Sequence, residues 1–309
     1  MSRSRTLTVQ IAGGLGNQLF QYYAGYLASV RSQRKLILDD SRISSGVFYD
    51  NRINAEMPQL GLKGLSGLDA TFISQTFLSR ALSKNAIARR VPLYRKTQKL
   101  LDFSPNGETG TDLTLKQFDI GESRITNIRL KGNLQSLELV QAAINLGAFS
   151  VLQVLDKGEY AEKLLKLCLE TRPIGIHLRL RDYSNSKELL ELGTEYYIDG
   201  ITRIRSKIPN SPLWLFSDDV ELAFKLLPKK ITQDVCLVVN PSDLSDVETL
   251  LIMSKCEGLV IANSTFSFWG GFFSKSQSIV APSPWFKKGL SLKEDLDFNL
   301  PSHWQKLSR

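Results

Sequence analysis

Apolar residues recur at two different spacings along this 309-residue chain, and the spacing changes from segment to segment. Leu7, Val9 and Ile11 alternate with other residues at the period of a strand. The Leu- and Tyr-rich stretch from Gln18 to about Arg31 has the period of a helix. Between them lies Ala12-Gly13-Gly14-Leu15-Gly16-Asn17-Gln18, so a strand, a Gly-rich turn and a helix are predicted in that order. A second strand is expected from Arg34 to Asp40. From about Ser41 to Asp119, Gly and Pro interrupt the helical pieces and the pattern specifies no topology. A strand from Ile125 to Gly132 and a helix from Leu137 to Leu146 close this half.

The second half alternates more cleanly. Helices are predicted at Glu159–Glu170, Glu195–Ile208, Val220–Leu227 and Asp246–Cys256, and one more begins at Asn263-Ser264-Thr265. They are interleaved with strands at Ile174, Pro212–Asp219, Val235–Val239, Gly258–Asn263 and, last, Ser278–Pro282. Strands alternating with helices imply βαβ units and a parallel, doubly wound sheet, hence an α/β protein. Two domains are expected, residues 1–152 and 153–309.

With 42% hydrophobic residues the chain can bury a sizeable core. Its apolar runs fall short of the roughly 18 residues a membrane-spanning helix needs, and the N-terminal segment lacks the apolar stretch of a secretory signal. Cytoplasmic residence is the default expectation. Cys168, Cys236 and Cys256 lack Cys-x-x-Cys spacing and are read as core thiols. With only two histidines present, neither a disulfide framework nor a zinc site is expected. The formal charge of +8 admits three partner classes: nucleic acid, anionic lipid and phosphorylated small molecules. The densest basic stretch, Arg80 to Lys99, reads as a solvated face or as a membrane-surface or acceptor-docking segment.

Candidate chemistry collects at strand ends. In Ile174–Tyr183 the apolar positions alternate, and His177, Arg179, Arg181 and Asp182 gather at or beyond the C-terminal end. Ligands of open α/β sheets bind at that edge, so an anionic ligand with proton chemistry beside it is implied. In Leu213–Asp219 an apolar strand delivers Ser217, Asp218 and Asp219, suited either to ribose or guanine recognition or to capping the next helix. Asn263, Ser264 and Thr265 stand between a strand and a helix, as a phosphate cradle or as a plain N-cap. The N-terminal glycines do not follow G-x-G-x-x-G and are not a dinucleotide fingerprint.

Taken together, Gly13–Gln21, Gly132–Ser136, His177-Leu178-Arg179 with Asp182-Tyr183, Phe216–Asp219 and Asn263–Gly270 resemble, in order and spacing, the α-1,2-fucosyltransferase family. Met253–Cys256, Ala281-Pro282 and Trp285-Phe286 match that family's C-terminal pattern. The resemblance spans nearly the whole chain. It implies two Rossmann-like domains facing a cleft, the GT-B arrangement. It also implies inverting, metal-free transfer of fucose from GDP-fucose to a sugar hydroxyl, O2 of a terminal galactose, on a glycan or lipid-linked oligosaccharide. No cofactor besides that sugar-nucleotide substrate is implied, and no nucleic-acid partner. Lacking an anchor, the chain is similar to bacterial members that act at the cytoplasmic face, with peripheral membrane contact left open.

By the same resemblance His177 and Arg179 are pyrophosphate ligands, joined by Ser264, Thr265 and the Phe266 N–H, while Gly16 and Asn17 close over the phosphates; Arg179, Asp182 and His177 are the candidate catalytic residues. Asp218 is the guanosine candidate. Asp182 is either the general base or the residue that orients Arg179 or His177, and Glu188 is a second base candidate. The pattern departs from the family at Leu180 and Arg181, where Arg and Gly are usual, and at Leu134, where an aromatic is frequent. Asp295-Leu296-Asp297 reads as a metal–diphosphate motif or as a solvated turn. Two competing readings remain: transfer from another GDP-sugar, and a basic nucleic-acid-binding module. The latter would want exposed aromatics, whereas Phe266, Phe268, Trp269, Phe272 and Phe273 look like core.

Overall fold

The structure, a computed structural model, describes residues 5–44, 61–73, 98–102, 114–116, 118, 127–180, 192–240, 242–286 and 298–308. The chain divides into two compact units, Met1–Lys63 with Gly67–Ser150, and Gly64–Ser66 with Val151–Arg309.

The first unit contains β1 (Thr6–Gln10), α1 (Leu15–Arg31), β2 (Lys35–Asp39), β3 (Thr71–Ile73), β4 (Gln98–Asp102), β5 (Asn127–Lys131) and α2 (Leu137–Asn145). Its five strands form a parallel sheet in the order β3-β2-β1-β5-β4, so the stretch without a readable pattern contributes two edge strands. Alternation in β1 buries Leu7 and Val9 beneath α1. The helix lies so close that a Cβ on Gly25 would fall 2.5 Å from Val9 Cγ2, and only glycine permits that approach. α1 begins at Leu15, one turn earlier than its apolar period suggests, because Gly13 turns left-handed at φ 76° and Gly14 takes the N-cap position.

The second unit contains β6 (Ile174–Leu178), β7 (Leu213–Ser217), β8 (Val235–Val239), β9 (Gly258–Val260), β10 (Ile279–Pro282) and β11 (Gln305–Leu307). Between and before them run α3 (Glu159–Thr171), α4 (Thr194–Arg205), α5 (Val220–Leu226), α6 (Asp246–Met253) and α7 (Thr265–Phe272). All neighbours pair in parallel, in the order β11-β10-β9-β6-β7-β8. Counted from β6 this is the 3-2-1-4-5-6 order of nucleotide-binding doubly wound sheets, and it reverses direction between β6 and β9.

Four expectations need correcting. Ser278–Pro282 is not the last strand: β11 follows it, a three-residue edge strand too short and too polar to show a period. α6 stops at Met253, because Lys255 and Cys256 donate to carbonyls three residues back and tighten the final turn ahead of β9. α4 ends at Arg205, not Ile208, since Ser206 caps it. Cys236 is exposed: it lies on β8, the sheet's edge strand, while Cys168 and Cys256 are buried as expected. Of the aromatic run, Phe268, Trp269 and Phe273 are buried and Phe266 and Phe272 half-buried. Among the described residues no helix is long and apolar enough to cross a membrane. Arg80 to Thr97 lie outside the described residues.

Candidate active site

The strand alternation in β6 sorts its side chains onto two faces. Ile174, Ile176 and Leu178 join Tyr196, Tyr197, Ile201 and Ile204 of α4 in one apolar cluster, and Leu180 packs against it. His177 takes the opposite face. Its Nδ1 contacts the Ser267 hydroxyl in the first turn of α7, its ring lies 5.8 Å from that of Phe266, and the Tyr197 hydroxyl donates to its carbonyl at 3.4 Å. Burial, reinforced by the nearby Arg179 charge, pushes the His177 pKa down to about 3, so the imidazole is neutral.

One residue beyond β6, Arg179 keeps a third of its side chain exposed, and its Nη1 lies 3.2 Å from Oδ2 of Asp218. The other oxygen of Asp218 accepts the Leu180 backbone N–H at 2.8 Å. The helix cap that the sequence allowed to Ser217, Asp218 or Asp219 falls to Asp219, which accepts from the Leu222 N–H at 3.0 Å. The two adjacent aspartates therefore have separate tasks.

Past β9, Asn263 is buried and donates through Nδ2 to the Trp285 carbonyl at 3.0 Å. Ser264 occupies the N-cap position of α7, yet its side chain makes no capping bond. The first-turn N–H groups, including those of Thr265 and Phe266, have no acceptor inside the helix and carry its positive end. His177, Arg179, Asp218, Ser264, Thr265 and Phe266 thus stand on one carboxyl edge, and β6 and β9 flank the point where strand order reverses. Chemically this arrangement could hold an anion: it offers a guanidinium, a helix N-terminus and a neutral imidazole. Asp182, with Arg181 and Glu188, lies outside the described residues, as do Asp295 and Asp297. Among the described residues no group of three or more His, Cys, Asp or Glu is placed to hold a metal.

Gly16 and Asn17 belong to the first unit, in the first turn of α1. There the strand order reverses between β1 and β5, and side-chain amides tie the two loops together. Gln21, fully buried, accepts from the Ala12 N–H at 3.0 Å and donates to the Gly132 carbonyl at 3.1 Å. Gln135 donates to Oδ1 of Asn17 at 2.9 Å. Leu134 between them is fully buried with a left-handed φ of 55°.

Residues 162–299, which hold every site residue of the second unit, match the sequence model of glycosyl transferase family 11. The chain is 27% identical over 301 residues to an α-1,2-colitosyltransferase of Escherichia coli, covering 91% of this chain and 93% of that protein. It is 26% identical over 312 residues to the O-antigen biosynthesis glycosyltransferase WbnK of Escherichia coli, with 93% and 97% covered. Among solved structures it is similar to the NodZ α-1,6-fucosyltransferase co-crystallized with GDP, at a TM-score of 0.50 and 12% identity over 88% of this chain and 93% of that one. The fold is the Rossmann-like GT-B type.

The sequence reading gave no individual role to three residues inside the motifs it quoted. Ser267, Gln21 and Gln135 each bond to a predicted motif or its loop. For Ser267 and Gln21 a signal existed in the sequence, a polar residue on an otherwise apolar helical face, as Ser267 stands among Phe266, Phe268 and Trp269.

Proposed function

We propose that this chain is a family 11 glycosyltransferase that transfers fucose from GDP-fucose to a galactose hydroxyl of a glycan or lipid-linked oligosaccharide, with inversion and without a metal. The observation that carries the reading is that Arg179, at the end of β6, and the uncapped N-terminus of α7, after β9, stand on either side of the point where the strand order reverses. Negative charge grows on the β-phosphate as the bond to the sugar C1 breaks, and fixed donors aimed there favour departure. Arg179, the Thr265 and Phe266 N–H groups and the Ser264 and Thr265 hydroxyls would supply those donors, with His177 beside them. Gly16 and Asn17 remain proposed phosphate contacts and Asp218 a proposed nucleoside contact. The acceptor hydroxyl must lose a proton in a single displacement, and Asp182 or Glu188 is proposed to take it. Work at the cytoplasmic face of a membrane would suit a lipid-linked acceptor.

The relative named for colitose transfer favours a second reading, in which the same site takes a different GDP-linked deoxy sugar. The deciding experiment offers purified protein GDP-fucose and other GDP-sugars with galactose-terminated acceptors, and reads linkage by NMR. Fucose joined through α-1,2 supports the first reading. Transfer from another GDP-sugar alone establishes the second, and tight RNA or DNA binding with neither transfer nor GDP binding would defeat both.

A further inference from the structure

Ser267 is fully buried, and its contact with Nδ1 of His177 is, among the described residues, its one side-chain hydrogen bond. Either group can donate in such a pair, so the tautomer depends on where the hydroxyl proton goes. Were Nδ1–H to donate to Oγ, the serine proton would be left buried with no acceptor, forfeiting the hydration it gave up on folding. The opposite arrangement satisfies both groups: Ser267 donates, Nδ1 accepts, and the imidazole proton resides on Nε2. The ring has little freedom to escape this choice, because it is buried against Phe266 and its own carbonyl is held by Tyr197.

We infer that Ser267 fixes His177 as the Nε2–H tautomer, making His177 a hydrogen-bond donor to the bound nucleotide and not a general base. This rests on the GDP-sugar reading of the same edge. The consequence is chemical. With Nδ1 engaged by the serine and Nε2 already protonated, the imidazole has no free lone pair with which to accept a proton from the acceptor sugar. Ser267 is then a positioning residue, and the same contact keeps an uncharged donor beside Arg179 where a cation would repel it. The low pKa of His177 agrees, since burial and the Arg179 charge both disfavour a second proton on the ring.

The chain has only two histidines, and His303 is exposed and remote in sequence from the site motifs, so the test is direct. Two-bond 1H–15N correlation spectra of the labelled full chain, with His303→Gln for assignment, report which nitrogen of His177 carries the proton. Expected is Nε2–H alone at neutral pH. Ser267→Ala should release the ring to a mixture of tautomers and weaken GDP binding about three- to tenfold, the net worth of one hydrogen bond. Ser267→Thr, which keeps the hydroxyl, should restore both. A wild-type spectrum with Nδ1–H overturns the assignment even if Ser267→Ala fails to fold, and so does an unchanged tautomer in a folded Ser267→Ala. A wild type with Nε2–H that binds no GDP overturns the functional reading instead, and with it the donor role of His177.

Discussion

Asp218 holds Arg179 from the neighbouring strand: its Oδ2 lies 3.2 Å from Arg179 Nη1, and its Oδ1 accepts the Leu180 N–H at 2.8 Å. Each oxygen of this carboxylate engages the segment leaving β6. The guanidinium is thereby oriented by β7, on the side of β6 away from β9. A carboxylate retains further acceptor positions, so a nucleoside contact is compatible with this task. Positioning of Arg179 is the role that the geometry adds.

Coupling between these two residues is therefore expected in kinetics. Arg179→Ala and Asp218→Ala should each lower kcat/KM, and the double variant should lose less than the sum of the two, by about 1 kcal/mol or more. A double-mutant cycle on initial rates measures this. Losses that add within about 0.5 kcal/mol would confine Asp218 to independent nucleoside recognition.

His177 makes the fold acid-sensitive. In the unfolded chain its imidazole titrates near 6.5, while in the fold it stays neutral down to about 3. Between those values unfolding takes up a proton, so the stability from this group is complete above about pH 6.5 and is lost as pH falls toward about 3. Urea unfolding of wild type and His177→Gln should show the wild type losing about 2 kcal/mol more between about pH 7.5 and pH 5. Parallel pH profiles for the two proteins would mean that His177 is not buried as a neutral group.

Leu180 separates a weakened donor site from an intact one. It stands where the family usually has Arg, and it packs against the apolar cluster of the second unit. Leu180→Arg should destabilise the protein by about 1–3 kcal/mol, read by thermal unfolding, without improving GDP affinity. Unaltered stability with tighter GDP binding would place the side chain at the nucleotide instead.

The β6 strand and its terminal charges were legible because its large apolar side chains share one face while Gly175 and His177, equally buried, take the other, and Leu180 continues that period onto the core side. The strand order was not: nothing local in Gly258–Val260 says that β9 returns beside β6, although this brings Ser267 against His177. Hydrogen bonds between distant segments were equally hidden, as between Gln135 and Asn17 or Asp218 and Arg179, since each needs a tertiary approach that no spacing encodes. Cys236 was misread because an apolar run fits an edge strand as well as a central one, and only the sheet order reveals which face stays wet. The first unit's outer strands, β3 and β4, fell in a stretch whose Gly and Pro erase periodicity.

Isothermal titration of GDP into the full chain, beside Arg179→Ala, tests the central claim most directly. The expected result is one GDP bound per chain, with affinity reduced about tenfold or more in Arg179→Ala and an unchanged melting temperature for the unliganded variant. Wild-type protein that binds no GDP, or that binds it as tightly without Arg179, would contradict the assignment of this sheet edge as the nucleotide site.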